Sequence, residues 1–349
     1  MKRVLLILPN LDLGGTEVVV MNYLRAGVPF DFVVHGEAGY FEAEAKALGA
    51  QIFRVPTRRA GFWRNVRAMR ALYRTHRAYE TVIVCSEHAF AFIELAVAWA
   101  CGIKRRGAWS HFSDYQGASK IKRLAHFLAR PFLRWFANIR LACSTNAGKW
   151  LFGRGPVQIV KNAIDLEKFA FYPQARAEMR KALGLGEHQF AIGIIGRLTP
   201  VKNHAFALRE LALMHKQRID AVLLFIGDGE LREELEAQAN ERVLFTGAVA
   251  AQDMPRYYAA LDWIWMPSLH EGFPMTAIEA LASGLCLFVS DTITREVAAI
   301  DRVRFLPLEE GAWAYEDIWP STRTADVIGH IDYDIKKEAQ RLRALLKLG

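Results

Sequence analysis

Two glutamates, Glu271 and Glu279, stand eight residues apart in the stretch 270–282, His-Glu-Gly-Phe-Pro-Met-Thr-Ala-Ile-Glu-Ala-Leu-Ala. Glu271 precedes the small Gly272 and a Phe273-Pro274 turn, after which an apolar helical pattern carries Glu279 about one turn in. Proline suits the first turn of a helix, and the free backbone N–H groups at that end suit an anion. Two carboxylates beside such a helix start fit a polyhydroxyl ligand that carries phosphate. A sugar nucleotide is that kind of ligand.

Three more stretches could handle phosphate. Gly14-Gly15-Thr16-Glu17 follows the apolar run 4–8 and precedes a helical pattern over 18–24. Strand, glycine pair and helix let backbone N–H groups approach a phosphate closely, although a tight turn explains the pair equally well. The pattern is neither Gly-x-Gly-x-x-Gly nor a Walker loop, so a dinucleotide or ATP has little support. Ile195-Gly196-Arg197-Leu198, with Lys202 close behind, sets two cations next to a glycine at a strand end. Arginine binds phosphate bidentately and lysine acts as a point charge, so the pair could hold a diphosphate. Gly227-Asp228-Gly229 reads, taken alone, as a turn and helix N-cap. His111, in Trp109-Ser110-His111-Phe112, is either a satisfied structural group or, being at a strand's carboxyl end, part of a site.

The elements that must position these residues alternate regularly. Short apolar runs at 4–8, 30–35, 52–55, 81–85, 107–110 and 139–143 are separated by helical patterns, which argues βαβ units and a parallel sheet. Ligand loops then belong at the strands' carboxyl ends. The run 159–165 reads as a strand leaving a first domain. A polar segment at 174–183 and Gly184 and Gly186 mark a boundary, and a second strand–helix series begins at 190. The reading is α/β with domains at 1–165 and 166–332 and a C-terminal helix at 333–349.

At 349 residues, 52% hydrophobic and 23% charged, the chain is a folded protein of two ordinary domains. The N-terminal apolar run is five residues long and stops at Pro9, so it is read as a strand and not a signal peptide. The segment 89–103 contains Glu94 and is too short to span a bilayer. Cys85, Cys101, Cys143 and Cys286 form no Cys-x-x-Cys pair, which favours reduced thiols in the cytosol over disulfides or zinc.

Charge is uneven. Residues 1–165 hold 24 Lys+Arg against 11 Asp+Glu, a net of +13, while the remainder holds 21 against 26, a net of −5. Arg64, Arg67, Arg70, Arg74 and Arg77 recur at helical spacing, giving either a solvated face or a surface for membrane phosphates or a polyanionic acceptor. In 119–136, Ile121, Leu124, Phe127, Leu128, Phe132, Leu133, Trp135 and Phe136 interleave with Lys120, Lys122, Arg123, Arg130 and Arg134. Pro131 is expected to split this stretch into two short helices. A helix lying on a membrane and a core-packed helix with a basic face remain equal alternatives.

Taken together, Gly14-Gly15-Thr16-Glu17, Asn162-Ala163-Ile164-Asp165, Gly196-Arg197 with Lys202, Gly227-Asp228-Gly229 and Glu271-x7-Glu279 resemble the retaining glycosyltransferases of family 4, which have the GT-B fold. The stretches 14–23, 30–35 and 290–294 look most like bacterial capsule and exopolysaccharide members. The resemblance implies two Rossmann-like α/β domains facing across a cleft, with a sugar nucleotide held mainly by the C-terminal one. Arg197 and Lys202 would take the diphosphate beside Gly196 and Gly229, and Glu279 the ribose hydroxyls. Glu271, with backbone N–H groups from Gly272 through Phe273 to Pro274, would hold the donor sugar. Gly14 and Gly15 would close over the phosphates, and His111 would lie near the reacting centre. The C-terminal helix would cross back to the first domain. Two departures stand out: Asn162-Ala163 replaces the usual Asn-Gly, and Gly284-Leu285-Cys286 lacks the usual proline.

The implied reaction is glycosyl transfer from a nucleotide sugar, UDP-linked by expectation, to an acceptor hydroxyl with retention, needing neither metal nor other cofactor. It would serve capsule, exopolysaccharide or O-antigen assembly in the cytoplasm, at the inner face of the membrane if the basic helices dock there. The acceptor is a glycan, for which a lipid-diphosphate-linked form fits that face. Competing readings are another GT-B enzyme such as a sugar-nucleotide epimerase, a non-catalytic partner subunit, and a nucleic-acid binder. The last rests on charge alone and has no motif behind it.

Overall fold

In a computed structural model, which describes residues 2–112, 119–271, 273–298, 300–314, 323 and 325–348, the chain divides into two compact units. Unit 1 is Met1–Ile164 with Tyr333–Gly349, and unit 2 is Asp165–Asp332. The helix Ile335–Leu345 therefore belongs with the first sheet. A parallel bridge between Ile164 and Asp334 lies inside unit 1.

Among the described residues, unit 1 carries seven strands: β1 (Val4–Leu8), β2 (Phe30–Val34), β3 (Ile52–Arg54), β4 (Thr81–Cys85), β5 (Arg105–Ser110), β6 (Ile139–Ala142) and β7 (Gln158–Ile159). They form one parallel sheet in the order β3-β2-β1-β4-β5-β6-β7. Every residue of β1, β2 and β4 is buried, as expected of strands covered on both faces, and the one charge among them, Asp31, takes Arg3 Nε at 2.5 Å. Unit 2 carries β8 (Phe190–Ile195), β9 (Ala221–Ile226), β10 (Val243–Gly247), β11 (Trp263–Met266), β12 (Cys286–Ser290) and β13 (Val303–Leu306). Their order is β10-β9-β8-β11-β12-β13, again all parallel. Its core gathers Trp263, Trp265, Phe288, Phe206 and Phe225 around Trp313.

In both sheets the strand order reverses once, between β1 and β4 and between β8 and β11. Loops leaving the carboxyl ends of those strands diverge and open a crevice. Each unit thus has one place where its fold exposes backbone and side chains to a ligand.

Three expectations are corrected. The helix Lys120–Phe136 runs unbroken through Pro131. The proline removes a single ladder bond, while His126 and Ala129 before it and Leu133 after it are all buried and hold both halves on one axis. The stretch 159–165 is not a full strand beyond Ile159. Two of its carbonyls accept from side chains, Lys161 O from the Tyr23 hydroxyl at 2.6 Å and Ala163 O from Asn22 Nδ2 at 3.2 Å, while Ile164 O accepts the Ile335 N–H at 2.9 Å. Asp228 does not cap a helix, because the next one starts only at Arg232.

Candidate functional site

Unit 2 builds its site at the reversal between β8 and β11. Beyond β8, Gly196 adopts φ +139°, a conformation L side chains avoid, and a Cβ there would lie 3.0 Å from Lys202 Cε. That glycine clears the path by which Lys202, at the end of the turn Pro200–Lys202, reaches back toward the sheet. Lys202 Nζ donates to Glu271 Oε1 at 2.6 Å, and Ser268 Oγ donates to the same oxygen at 2.9 Å. Lys202 leaves the β8 loop and Glu271 the β11 loop, so the ion pair bridges the strand-order reversal. Both are mostly shielded, at 20% and 16% side-chain exposure, which makes the pair stronger than a surface one. Glu271 Oε2 has no hydrogen-bond partner among the described residues.

Arg197, between Gly196 and the buried Leu198, is exposed and has no ion-pair partner among the described residues. Gly229 is fixed by packing: a Cβ there would lie 2.6 Å from the Leu198 backbone nitrogen. Leu198 N–H donates to Asp228 O at 3.0 Å and Leu231 N–H to Leu198 O at 3.1 Å, which sews the β8 and β9 loops together beneath Arg197.

Glu279 sits one turn inside the helix Met275–Ala282 and accepts the Tyr258 hydroxyl at 2.7 Å through Oε2. Burial raises its carboxyl above the ordinary range, against the opposing pull of the Tyr258 hydrogen bond and of Lys168. Pro274 is the N-cap and not the first helical residue, and no side chain caps the helix start. Phe273 is buried, and Gly272 lies outside the described residues.

Unit 1 holds a crevice of about 520 Å³ at the matching reversal between β1 and β4. Gly14 and Gly15 line it, with Glu17, His35, Arg58 and His88. A side chain at Gly15 would point into open space, so folding does not demand that glycine. Arg58 lies 3.4 Å from the buried Glu94. Burial, reinforced by Arg58, lowers both His35 and His88, while burial raises Glu17 and Glu87. The result is a polar pocket with neutral imidazoles, of a size common for small ligands. His35, Arg58 and His88 were missed as site residues in the sequence, because each is a lone polar residue on a different loop.

His111 follows β5 directly, and burial pushes its imidazole down to about 3, with Asn162 beside it pulling partly the other way. It is therefore a neutral group. Ala163, the departure from Asn-Gly, is fully buried and has no positive φ, so the backbone does not call for glycine.

The chain contains one Asp-x-Asp triplet, Asp332-Tyr333-Asp334, a spacing that can serve a divalent cation. Here Asp334 caps the helix Ile335–Leu345, its side chain accepting the Lys336 N–H at 2.8 Å.

A sequence-wide relationship decides the family. A glycosyltransferase of Bacillus subtilis described as "Putative glycosyltransferase EpsF" is 33% identical over 331 residues, covering 90% of this chain and 86% of that one. The chain belongs to the group 1 glycosyl transferases. The family profile of that description, glycosyl transferases group 1, matches residues 189–313 of this glycosyltransferase, the span that holds Arg197, Lys202, Glu271 and Glu279. An Escherichia coli enzyme, "UDP-Gal:alpha-D-GlcNAc-diphosphoundecaprenol alpha-1,3-galactosyltransferase", is 32% identical over 143 residues, 39% of this chain and 36% of its own. Among solved structures, Anabaena HepE in complex with UDP and glucose superposes with a TM-score of 0.78 at 17% identity, covering 100% of both chains. That likeness establishes the GT-B fold.

In this glycosyltransferase one buried histidine sits close to the site without serving it. His204 is 1% exposed, rests edge-on against Phe225 at 4.9 Å, and neither ring nitrogen has a partner among the described residues. Burial, then the nearby Lys202, lowers it from 6.5 to about 4. Between those values the unfolded chain binds more protons than the folded one, so His204 withdraws stability as pH falls through that window. Replacing His204 with leucine should stabilise the chain by roughly 2 kcal/mol more at pH 5 than at pH 7.5. Urea unfolding at the two pH values measures this, and an equal change at both would refute it.

Proposed function

We propose that this glycosyltransferase moves a hexosyl residue from a UDP-sugar to an acceptor hydroxyl with retention of anomeric configuration and without a metal. The observation that carries the proposal is the Lys202–Glu271 pair across the β8/β11 reversal, beside Arg197 and the helix Met275–Ala282, which among the described residues have no ion-pair partner and no side-chain cap respectively. UDP in the Anabaena structure and UDP-Gal in the name of the Escherichia coli relative support this nucleotide.

In this reading the C1–O bond of the donor breaks and its electron pair stays with the diphosphate. Arg197, Lys202 and the helix N-terminus neutralise the charge that develops there. Glu279 accepts ribose hydroxyls through the oxygen that Tyr258 leaves open, and Glu271 Oε2 orients a hydroxyl of the sugar. The acceptor oxygen attacks C1 from the leaving-group face and passes its proton to a diphosphate oxygen. No carboxylate nucleophile is needed, unlike in retaining glycosidases. The unit 1 crevice suits a hydroxyl-rich acceptor, and Gly14 and Gly15 leave room for phosphate there. The relative that acts on a diphosphoundecaprenol-linked sugar favours a lipid-diphosphate-linked glycan and a role in capsule, exopolysaccharide or O-antigen assembly.

The test is a panel of UDP-sugars with a lipid-diphosphate-linked acceptor, the anomeric configuration of the product being read by proton NMR. One donor should yield product with the donor's own configuration. An inverted product would refute the front-face route. Turnover without acceptor would point instead to a different GT-B reaction such as epimerisation.

A further inference from the structure

Most amphipathic helices turn their large apolar side chains inward, and Lys120–Phe136 does the reverse. Ile121 and Trp135 are each 79% exposed, Leu128 66%, Leu124 59% and Phe132 54%. At 100° per residue these five fall within an arc of roughly 80°. The buried residues His126, Ala129 and Leu133 centre roughly 130° away. The helix cannot simply roll to hide the stripe. His126 Nδ1 accepts the Ala89 N–H at 3.0 Å, its Nε2 lies 3.1 Å from Trp150 O, and its ring stacks on Trp150 at 4.3 Å. A fully bonded histidine thus locks the inward face.

Charge borders the stripe on one flank. Lys120, Arg123, Arg130 and Arg134 occupy the arc between the buried face and the apolar one, and 120–136 holds no Asp or Glu. Arg130 and Arg134 donate to carbonyls of Trp150, Lys149 and Arg154, which holds those two cations in fixed positions. The helix Phe92–Ala100 packs against Lys120–Phe136 on one side and Phe62–Thr75 on the other, over one shared core. From it, Trp99, 58% exposed, adds to the apolar surface beside Phe136 at 5.9 Å. From Phe62–Thr75, Arg64, Arg67, Arg70 and Arg74 add four exposed cations.

A contiguous apolar stripe with one aromatic end and a cationic border has to meet a partner that is apolar inside and anionic at its edge. A second copy of this chain fits poorly, because an isologous contact would set the same cationic borders against each other. We propose that the helix Lys120–Phe136 is a monotopic anchor that lies with its apolar stripe in an anionic lipid bilayer. No helix among the described residues is long and apolar enough to cross a membrane, so the contact is interfacial. The inference stands on this surface alone and does not depend on the reaction assigned above.

Flotation of the full chain with vesicles tests it, using phosphatidylcholine alone and an equimolar mixture with phosphatidylglycerol. The chain should float with the mixed vesicles and not with phosphatidylcholine alone. The variant Leu128→Gln/Trp135→Gln should need at least about tenfold more lipid, with unchanged thermal unfolding because both side chains lie outside the core. Lys120→Gln/Arg123→Gln should weaken flotation and its dependence on salt. Wild-type chain that stays unbound, equal flotation with both vesicles, or an apolar variant that floats like wild type would each overturn the proposal. A concentration-dependent dimer abolished by the apolar variant would assign the face to a second copy and overturn it equally. Transfer to a soluble acceptor should survive the apolar variant, which separates failure here from failure of the reaction.

Discussion

Alanine at Arg197 or at Lys202 should each lower turnover with the correct donor by about 10²–10³-fold, equivalent to roughly 3–4 kcal/mol of transition-state stabilisation. The two losses should differ in kind. Arg197 is exposed and has no ion-pair partner among the described residues, so Arg197→Ala removes charge from the site and leaves folding intact. Lys202→Ala also strips Glu271 of its 2.6 Å partner and leaves a carboxylate, 16% exposed, facing an incoming diphosphate. A like charge there opposes binding as well as reaction, so KM should rise for Lys202→Ala more than for Arg197→Ala. Because both cations act on one group, the double variant should fall short of the product of the single losses. Thermal unfolding and steady-state rates together check this, and two variants at wild-type rates would end the diphosphate assignment.

The largest stability effect should come from Asp262, which has no part in the reaction. It is buried and receives Arg176 at 2.6 Å, Arg180 at 3.2 Å and the Ala191 N–H at 2.9 Å. Arg180 is itself buried, and its other hydrogen bonds all go to carbonyls, those of Ala260, Gly186 and Gln189. Removing the carboxylate leaves a buried guanidinium without a counter-charge at the join between helix Pro173–Ala182, β8 and β11. Such a loss typically costs about 3–5 kcal/mol, a large part of an ordinary domain's stability. Urea unfolding of Asp262→Ala should show that drop, and a change below about 1 kcal/mol would contradict it.

The parts legible in the sequence were those written locally. A buried parallel strand is a continuous apolar run, so β1 and β4 could be delimited, and the start of β8 placed, from composition alone. Their alternation with helices carried the α/β reading. The glycine-and-cation motifs were legible because the fold places them just after strands. What escaped depends on contacts distant in sequence. Lys202 and Glu271 are 69 residues apart, and no spacing rule makes them an ion pair. Gly229 has a packing requirement the sequence does not show, because a Cβ there would meet the Leu198 backbone. Pro131 looked like a break, but buried residues on both sides outweigh one missing hydrogen bond. The direction in which the 120–136 stripe faces was undecidable locally, because it is set by His126 reaching Ala89 and Trp150.

Unit 2 is proposed to hold the diphosphate of a nucleotide sugar between Arg197 and Lys202. Calorimetric titration of the full chain with UDP, compared with Arg197→Ala and Lys202→Ala at equal folded fraction, tests it most directly. Binding should be saturable and one-site, and should weaken at least about tenfold in each variant, the cost of losing one charge-assisted phosphate contact. Wild-type binding of UDP that neither substitution alters, or no UDP binding at all, would contradict it.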